Sequence, residues 1–289
     1  MPTLIDLRRR IQSVRNSQQI TQAMKTVSTA KFRKAQRTVQ EARPFWHLFP
    51  ELMSRLAYWA AAGTHPLLLR RDEKKIEVIV VTADKGLAGA YNSNLLAASD
   101  LFLAGKAATT EVRLVLMGKK ASGHFRKGPY PVDRAFSDRT DRLSRDQLRG
   151  LAEELMRAYT FQKIDAVYIV TNEFKSILAP RIMTHRVLPI EPVAGPEESA
   201  TWLPDWEPEA ARLAAFVLPL YVESQIHHAF HESQAAEQAA RMMAMDNATK
   251  NAEELVDDLV LQLNKIRQAG ITKELLEIMT AVEALKQKD

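Results

Sequence analysis

The sequence of 289 residues contains no cysteine. This absence excludes disulfides, thiolate zinc sites, iron–sulfur clusters and cysteine nucleophiles. Aromatic residues make up only 7% of the chain, which favours helix-rich packing over a β-sandwich. No apolar run approaches the roughly 20 residues needed to span a bilayer. The first residues, MPTLIDLRRR, carry charges where a secretory signal needs an apolar stretch, so we expect a soluble or peripheral protein without a targeting segment.

Charge is distributed unevenly along the chain, whose formal net charge is +5. Residues 1–43 hold ten Lys and Arg against two Asp and Glu, whereas residues 207–289 hold eight against fourteen. A basic end alone favours a nucleic-acid partner. Because the basic end is matched by an acidic end, the pattern also predicts that the two ends pair with each other.

The first 60 residues are predicted to form a long helix, with Thr3 and Asp6 placed to cap its start. Apolar residues spaced by three and four give this helix a seam, the stripe that a partner helix would cover. The predicted seam runs through Leu4, Leu7, Ile11 and Val14, is interrupted at Ser17, Gln18 and Thr21, and resumes with Ile20, Met24 and Val27. Pro44 and Pro50 are expected to kink the helix or split off its last turns.

Residues from about 209 to 286 are also predicted to be helical, with Pro219 kinking the helix early. Its seam positions are Ala252, Val256, Leu259, Leu263 and Ile266, then Ile271, Leu275, Ile278, Val282 and Leu285. The step of five between the two sets turns the stripe by about 140°. We interpret Gly270 as a seam position where a small residue permits close helix approach. The alternative is that the helix stops at Gly270 and that Thr272 caps a new one.

A helix of about 75 residues would be about 110 Å long, so it needs a partner along its length. The N-terminal helix has the opposite charge and its own seam, and we expect it to be that partner. Between the helices, short apolar runs alternate with helical patterns, which predicts a mainly parallel sheet. The predicted strands are 76–81, 112–118, 165–174 and 185–190.

The predicted fold class is therefore α/β, a long antiparallel coiled coil with a small Rossmann-like α/β domain inserted in it. The expected segments are an N-terminal coiled-coil helix at 1–62, the inserted domain at 74–195 and a C-terminal coiled-coil helix at 207–286. Residues 191–208, rich in Pro, Glu and Trp, are expected to form a loop.

Two glycine-containing motifs resemble phosphate-binding loops. ADKGLAGA follows a strand and precedes a helix, but Gly86 and Gly89 give G-x-x-G and not G-x-G-x-x-G. The competing interpretation is a tight turn that lets helix and strand pack closely. MGKKASG fails as a Walker A motif, because Arg113 stands where its first glycine belongs and Lys120 where it needs Ser or Thr.

Two polar patterns invite other functions. Glu223, His227 and His231 share one helix face, which suits either a metal ion or histidines satisfied by local contacts. Two basic clusters could follow a phosphate backbone, and a basic coiled-coil nucleic-acid-binding protein is the alternative function. These clusters are Arg8, Arg9, Arg10 and Arg15, and Lys31, Arg33, Lys34 and Arg37. No residue pattern identifies an enzyme active site.

Motifs along nearly the whole chain resemble the gamma subunit family of F-type ATP synthases. Near the N-terminus the resemblance rests on 7–36, especially Ile11, Val14, Asn16, Ile20, Thr21, Ala23 and Met24. Further on, it rests on TADKGLAGAYNSN, YVESQ, EQAARMMAM and RQAGITKELLEI. The family's order of helix, α/β insert and helix matches the order predicted here.

The resemblance implies a central rotor with no catalytic residue and no cofactor of its own. It places Arg267, Gln268 and Thr272 against a catalytic beta subunit, with Arg241 and Met24 near the contact between rotor and stator. In DWEPE, Trp206 and Glu207 would meet the membrane ring and the epsilon subunit, although a tyrosine often stands where Trp206 is. The cysteine-bearing insert of chloroplast members is absent.

The resemblance implies further partners and a location. The partners would be the alpha and beta subunits, the epsilon subunit and the membrane c-subunit ring, with no nucleic acid, and membrane association would be indirect. The family's role is ion-driven ATP synthesis. The missing targeting segment favours the cytoplasmic face of a bacterial inner membrane.

Overall fold

The computed structural model describes residues 3–59, 65–137, 143–176, 179–191 and 210–286. Its two longest elements are the terminal helices α1 (Leu4–Trp59) and α5 (Ala210–Lys286). Between them lie a 3-10 turn (Pro66–Leu68), β1 (Lys75–Val81), α2 (Tyr91–Ala107), β2 (Glu111–Met117), α3 (Lys119–Phe125), β3 (Val132–Phe136), α4 (Arg145–Thr160), β4 (Ala166–Ser176) and β5 (Ala179–Leu188). The predicted α/β class with long terminal helices is confirmed.

The chain forms two compact units, to each of which both long helices contribute. The paired-helix unit comprises Met1–Val27 and Met242–Asp289. The sheet unit comprises Ser28–Arg241.

α1 starts with reciprocal capping bonds. The Asp6 backbone N–H donates to Thr3 Oγ1 at 3.2 Å, and the Thr3 backbone N–H donates to Asp6 Oδ2 at 3.1 Å. These bonds satisfy donors that a helix start would otherwise leave unpaired. The predicted cap is confirmed.

The inward-facing positions of α1 follow steps of four and three without interruption. They are Leu7, Ile11, Val14, Gln18, Thr21, Lys25, Ser28, Phe32, Ala35, Val39, Ala42, Trp46 and Phe49, all buried or partly buried. Ile20 and Val27 are more than half exposed, so the prediction that the seam resumes through them is wrong. Polar side chains occupy the middle of the stripe, and apolar spacing alone therefore misplaced it.

α1 and α5 are antiparallel in the paired-helix unit. Leu7 and Ile11 of α1 form an apolar cluster with Val256 and Leu259 of α5. Nearer the end of this α1 segment, Thr21 Oγ1 lies 2.8 Å from the Oγ1 of Thr249. Residue numbers thus rise along α1 as they fall along α5, which confirms the predicted pairing of the two ends.

Charge contributes less to this pairing than the sequence predicts. Lys25 Nζ lies 2.6 Å from Asp246 Oδ1 and forms an ion pair between the helices. Arg8, Arg9 and Arg10 are exposed and take part in none of the ion pairs found among the described residues. Exposed ion pairs add about 0–1 kcal/mol, so the apolar seam dominates the stability of the pairing.

The sheet unit contains five strands in the order β3-β2-β1-β4-β5. β1 is parallel to β2 and to β4, β2 is parallel to β3, and β4 is antiparallel to β5. A mainly parallel sheet was expected and is confirmed. β3 was not predicted, because residues 132–136 form a short edge strand with no buried apolar run.

The sheet is covered on both faces, as the apolar run in β1 predicts. Ile76, Val78 and Val80 belong to one apolar cluster, which includes residues of α2 and α3. Ile79 and Val81 belong to a second cluster, which includes residues of α4 and α5.

The prolines do not divide the long helices. α1 continues through Pro44 and Pro50 to Trp59, so the expected splitting of its last turns is wrong. Proline removes one intrahelical hydrogen bond, and the buried side chains of Trp46 and Phe49 hold this segment in place. α5 likewise contains Pro219 within its span.

Glu77 of β1 is a buried carboxyl group in the sheet and provides a test of the fold by pH. Burial and, to a smaller extent, Asp133 raise the pKa of Glu77 from its ordinary 4.5 to about 7. The folded state therefore holds the proton more tightly than the unfolded state. The stability from this proton is complete below the ordinary pKa and is lost as the pH rises through about 7.

We predict that Glu77→Gln lowers the pH dependence of the free energy of unfolding. The variant should gain stability relative to the unaltered chain between pH 5 and pH 8, because glutamine never ionises. Urea denaturation at the two pH values measures the change, with the exposed Glu111→Gln as the control. An unchanged pH dependence in Glu77→Gln would contradict the burial of this carboxyl group.

Candidate functional site

The loop at residues 82–90, which contains the ADKGLAGA motif, lies at the carboxyl end of β1. In the strand order, β1 lies between β2 and β4. The chain therefore adds β2 and β3 on one side of β1 and later adds β4 and β5 on the other side. Open α/β sheets bind ligands in the crevice at such a switch point. This crevice is therefore where the fold would place a nucleotide.

A stretch of α5 fills the crevice. Thr171, which follows the part of β4 that pairs with β1, donates from Oγ1 to Ala229 O at 3.1 Å. The Phe174 backbone N–H donates to Glu232 Oε2 at 2.9 Å. Tyr91, at the start of α2, places its hydroxyl 2.6 Å from Ser233 Oγ. The protein itself thus occupies the position that a ligand would take.

Arg241 of α5 holds the glycine loop. Its Nη2 donates to Lys85 O and Gly86 O, each at 3.3 Å, and its Nη1 lies 2.7 Å from Glu237 Oε1. The residue is only 7% exposed. Arg241 therefore has an internal structural role, and its contact with a beta subunit stays a prediction.

The start of α3, where MGKKASG resembled a phosphate loop, has its backbone donors in use. The Lys119 N–H donates to Asp84 Oδ1 at 3.0 Å, and the Ala121 N–H donates to Thr82 Oγ1 at 2.9 Å. Gly118 has φ +99°, and a Cβ there would lie 2.3 Å from Thr82 O. Glycine is thus explained by close backbone approach, and the Asp84 carboxylate would repel a phosphate.

Glu223, His227 and His231 do lie together on α5. His227 Nε2 is 3.7 Å from Glu223 Oε1, and the two imidazole rings stack with centroids 6.1 Å apart. Arg145 Nε also lies 3.7 Å from Glu223 Oε1. Burial lowers the pKa of both histidines. Within the described residues, no group of three or more acidic or histidine side chains is placed to hold a metal ion.

Residues 267–280 of α5 are called the α5 tip. The apolar cluster shared by α1 and α5 ends at Ile266, near the start of α1. Five large apolar side chains of the α5 tip are each between 50% and 67% exposed. They are Ile271, Leu275, Leu276, Ile278 and Met279. The expectation that this stretch continues the seam with α1 is wrong, because no described residue of α1 shares an apolar cluster with it.

The polar residues of the tip are accessible. Arg267, Gln268 and Thr272, predicted to contact a beta subunit, are all exposed on α5. Thr272 Oγ1 donates to Gln268 O at 3.0 Å and so remains within the helical hydrogen-bonding pattern.

Gly270 lies inside a continuous helix. α5 runs unbroken to Lys286, so the alternative that the helix stops at Gly270 is wrong. A Cβ added to Gly270 would meet no atom within 4 Å among the described residues. The interpretation of Gly270 as a point of close approach between the chain's own helices is therefore also wrong.

The remaining predicted contacts fall in different places. Met24 is partly buried in the paired-helix unit. Trp206 and Glu207, together with the expected loop at 191–208 from residue 192 onward, lie outside the described residues. Sequence reasoning missed Tyr91, Glu232 and Ser233, although Ser233, Glu237 and Arg241 recur every four residues and could have indicated a buried polar face.

No helix traced in the described residues combines the length and the hydrophobicity needed to cross a bilayer.

Solved structures define the class of fold. A chain in a structure of the OSCP, F1 and c ring of Euglena gracilis mitochondrial ATP synthase covers 98% of this chain and 94% of its own, with a TM-score of 0.66 and 18% identity. A chain from the central stalk and c ring of Tetrahymena thermophila mitochondrial ATP synthase covers 79% of this chain and 99% of its own, with a TM-score of 0.60 and 22% identity. The chain shares its fold with these ATP synthase chains.

Sequence comparison then identifies the family. The sequence model of a family described as ATP synthase matches residues 3–285. The ATP synthase gamma chain of Desulfitobacterium hafniense is 40% identical over 286 residues, covering 99% of this chain and all of the relative. That of Solibacter usitatus is 42% identical over 288 residues, covering 98% and 99%. The chain belongs to the ATP synthase gamma-chain family, as a non-catalytic subunit of a larger enzyme.

We predict that Arg241→Ala lowers the free energy of unfolding by about 2–4 kcal/mol, because it leaves Glu237 and two loop carbonyls without their partner. Chemical denaturation followed by circular dichroism measures this loss. Arg267→Ala removes the same side chain at an exposed position and should change stability by no more than about 0.5 kcal/mol. Equal effects of the two variants would contradict the structural role of Arg241.

Proposed function

We propose that this chain is the turning shaft of an F-type ATP synthase. It would pass torque between an ion-driven membrane ring and a hexamer of catalytic alpha and beta subunits, during ATP synthesis or hydrolysis. Family membership supports a place in that enzyme. The observation that carries the proposal is the exposed α5 tip, which has no partner in the described part of the chain.

The chemistry of the α5 tip indicates the kind of surface that would surround it. Clustered exposed apolar side chains mark binding sites, since monomeric proteins rarely leave large apolar patches uncovered. Arg267 and Gln268 add donors that suit a loop rich in carboxylates and carbonyls. An apolar surface that surrounds the tip would fit the first feature, and a loop that carries hydrogen-bond acceptors would fit the second. The catalytic hexamer would form both.

Asymmetry accounts for how a shaft controls identical catalytic sites. A partner shifts an equilibrium only by its differential affinity for two states. Three identical sites can differ at one moment only if something asymmetric touches each of them differently. Two helices of unequal length and sequence present such a surface, and turning them would pass each state from one site to the next.

The drive and the remaining partners follow from the same assignment. Ion flow provides about 2.3 kcal/mol per charge per 100 mV, so several ions are needed for each ATP. Trp206 and Glu207 would meet the c-subunit ring and the epsilon subunit, on the cytoplasmic face of a bacterial inner membrane. In this proposal 74–195 is the inserted domain, between coiled-coil segments 1–62 and 207–286.

Reconstitution tests the assignment against the nucleic-acid alternative. The chain is combined with alpha and beta subunits of a bacterial enzyme, and ATP-driven rotation of a probe on the chain is recorded. Rotation supports the shaft. Suppose instead that the chain binds nucleic acid in a salt-sensitive way and does not bind alpha or beta subunits. That result would support the alternative based on the exposed Arg8–Arg10 cluster.

We predict that the double variant Arg267→Ala, Gln268→Ala impairs coupling more than folding. ATP-driven ion pumping by the reconstituted enzyme should fall several-fold, whereas thermal unfolding of the isolated chain should shift little, because both side chains are exposed. Lys127→Ala, which changes an exposed residue of the insert outside the tip, is the control and should leave both pumping and stability unchanged. Equal losses of pumping and of folding stability would contradict a contact role.

A further inference from the structure

The polar face of α5 between Ala229 and Arg241 lies where an α/β sheet would hold its ligand. We propose that the contact between this polar face and the α/β insert is the joint through which torque passes between the insert and α5. Tyr91 and Glu232 are the positioning residues of this joint. The joint is defined as Ala229, Glu232, Ser233 and Arg241 of α5 with Tyr91, Thr171, Phe174 and the carbonyls of Lys85 and Gly86. The inference rests on the proposed shaft function.

A joint that carries torque must resist turning about the helix axis. Apolar contacts are non-directional, so their resistance to turning depends on how the side chains interdigitate. Hydrogen bonds have preferred directions and lengths, so they fix the rotation of one body against another.

The hydrogen bonds of the joint come from separate elements of the insert. α2 contributes Tyr91, β4 contributes Thr171 and Phe174, and the loop 82–90 contributes two carbonyl groups. Their α5 partners lie between Ala229 and Arg241, a rise of about 18 Å along the helix. Bonds spread over three turns of the helix oppose both sliding and turning.

Burial makes these bonds costly to break. The side chain of Glu232 is 5% exposed, and its two oxygens face the Phe174 N–H at 2.9 Å and His228 Nε2 at 3.5 Å. Tyr91 is fully enclosed, and burial raises the pKa of its hydroxyl, which stays protonated as a donor. A buried polar group that loses its partner costs about 1–3 kcal/mol. The arrangement in which α5 makes these hydrogen bonds is thus strongly favoured over any arrangement in which α5 is turned about its axis.

The same bonds occupy the crevice in which an α/β sheet would hold a nucleotide. Thr171 Oγ1, the Phe174 N–H and the carbonyls of Lys85 and Gly86 are bonded to α5, and the Ala83 N–H donates to Asn92 Oδ1 at 3.1 Å. In a sheet that binds a ligand, the ligand in this crevice can dissociate. Here the crevice holds a segment of the same chain, so the connection is permanent and can carry force.

The test measures the torsional stiffness of the rotor in the assembled enzyme. The chain has no cysteine, so Leu101→Cys, at a position 79% exposed on α2, gives it a single probe site on the insert. The other subunits are made cysteine-free and the hexamer is fixed to a surface. Rotation of the probe with otherwise unaltered chain tests the shaft function first. The angular variance of the probe during pauses then reports the joint.

The double variant Tyr91→Phe, Glu232→Ala should raise the angular variance about twofold, because it removes two directional contacts of the joint. Unchanged variance would overturn the proposal. If the double variant does not assemble, Tyr91→Phe alone, which removes only a hydroxyl, gives the same comparison.

Two further variants separate a positioning role from general softening. Glu232→Gln keeps an oxygen to accept from the Phe174 N–H and should retain the variance of the unaltered chain. Tyr130→Phe removes the hydroxyl of a partly buried tyrosine outside the joint and should do the same. Broadening in either variant as large as in the double variant would overturn the proposal.

Discussion

A helix of 77 residues must cover its inward side along its whole length, and this constraint organises the molecule. α5 meets it with different neighbours in turn. Its first turns pack in an apolar cluster with the sheet, the next stretch lies in the crevice, and Val256 to Ile266 share a cluster with α1. Only beyond Ile266 does no described part of the chain cover it.

The character of the contacts changes along the helix in a way that suits each neighbour. Against the sheet the buried residues are large and aliphatic, such as Leu218, Val222 and Ile226. In the crevice they are small or polar, with Ala235, Ala236 and Ala239 letting the backbone approach closely. Polar contacts specify one alignment, whereas aliphatic contacts provide most of the stabilisation.

Much of the architecture could be predicted from spacing alone. The β-branched run in β1, the capping pattern at Thr3 and Asp6 and the two long helical stretches each reflect a strong local preference. The polar middle of the α1 stripe could not be predicted, because Gln18, Thr21 and Lys25 carry no apolar periodicity. The edge strand β3 lacks a buried run and was missed for the same reason.

The site was harder to predict than the fold. The glycine loop resembles a ligand site in sequence, and what fills the crevice lies about 150 residues away along the chain, so no local pattern indicates it. Arg267 and Gln268, which the family resemblance places against a beta subunit, are exposed. The described chain gives no reason for glycine at position 270, because a Cβ added there would meet no atom within 4 Å.

The continuity of α5 has a consequence for how members of this family can differ in length. A residue inserted in a helix advances every later residue by about 1.5 Å and turns it by about 100°. One insertion between Thr249 and Val256 would turn Val256 and Leu259 by about 100° relative to Thr249, so that both sets could no longer face α1 together. Insertions and deletions among members of the family should therefore accumulate in the loops of the insert, whereas the number of residues in the long helices should stay constant.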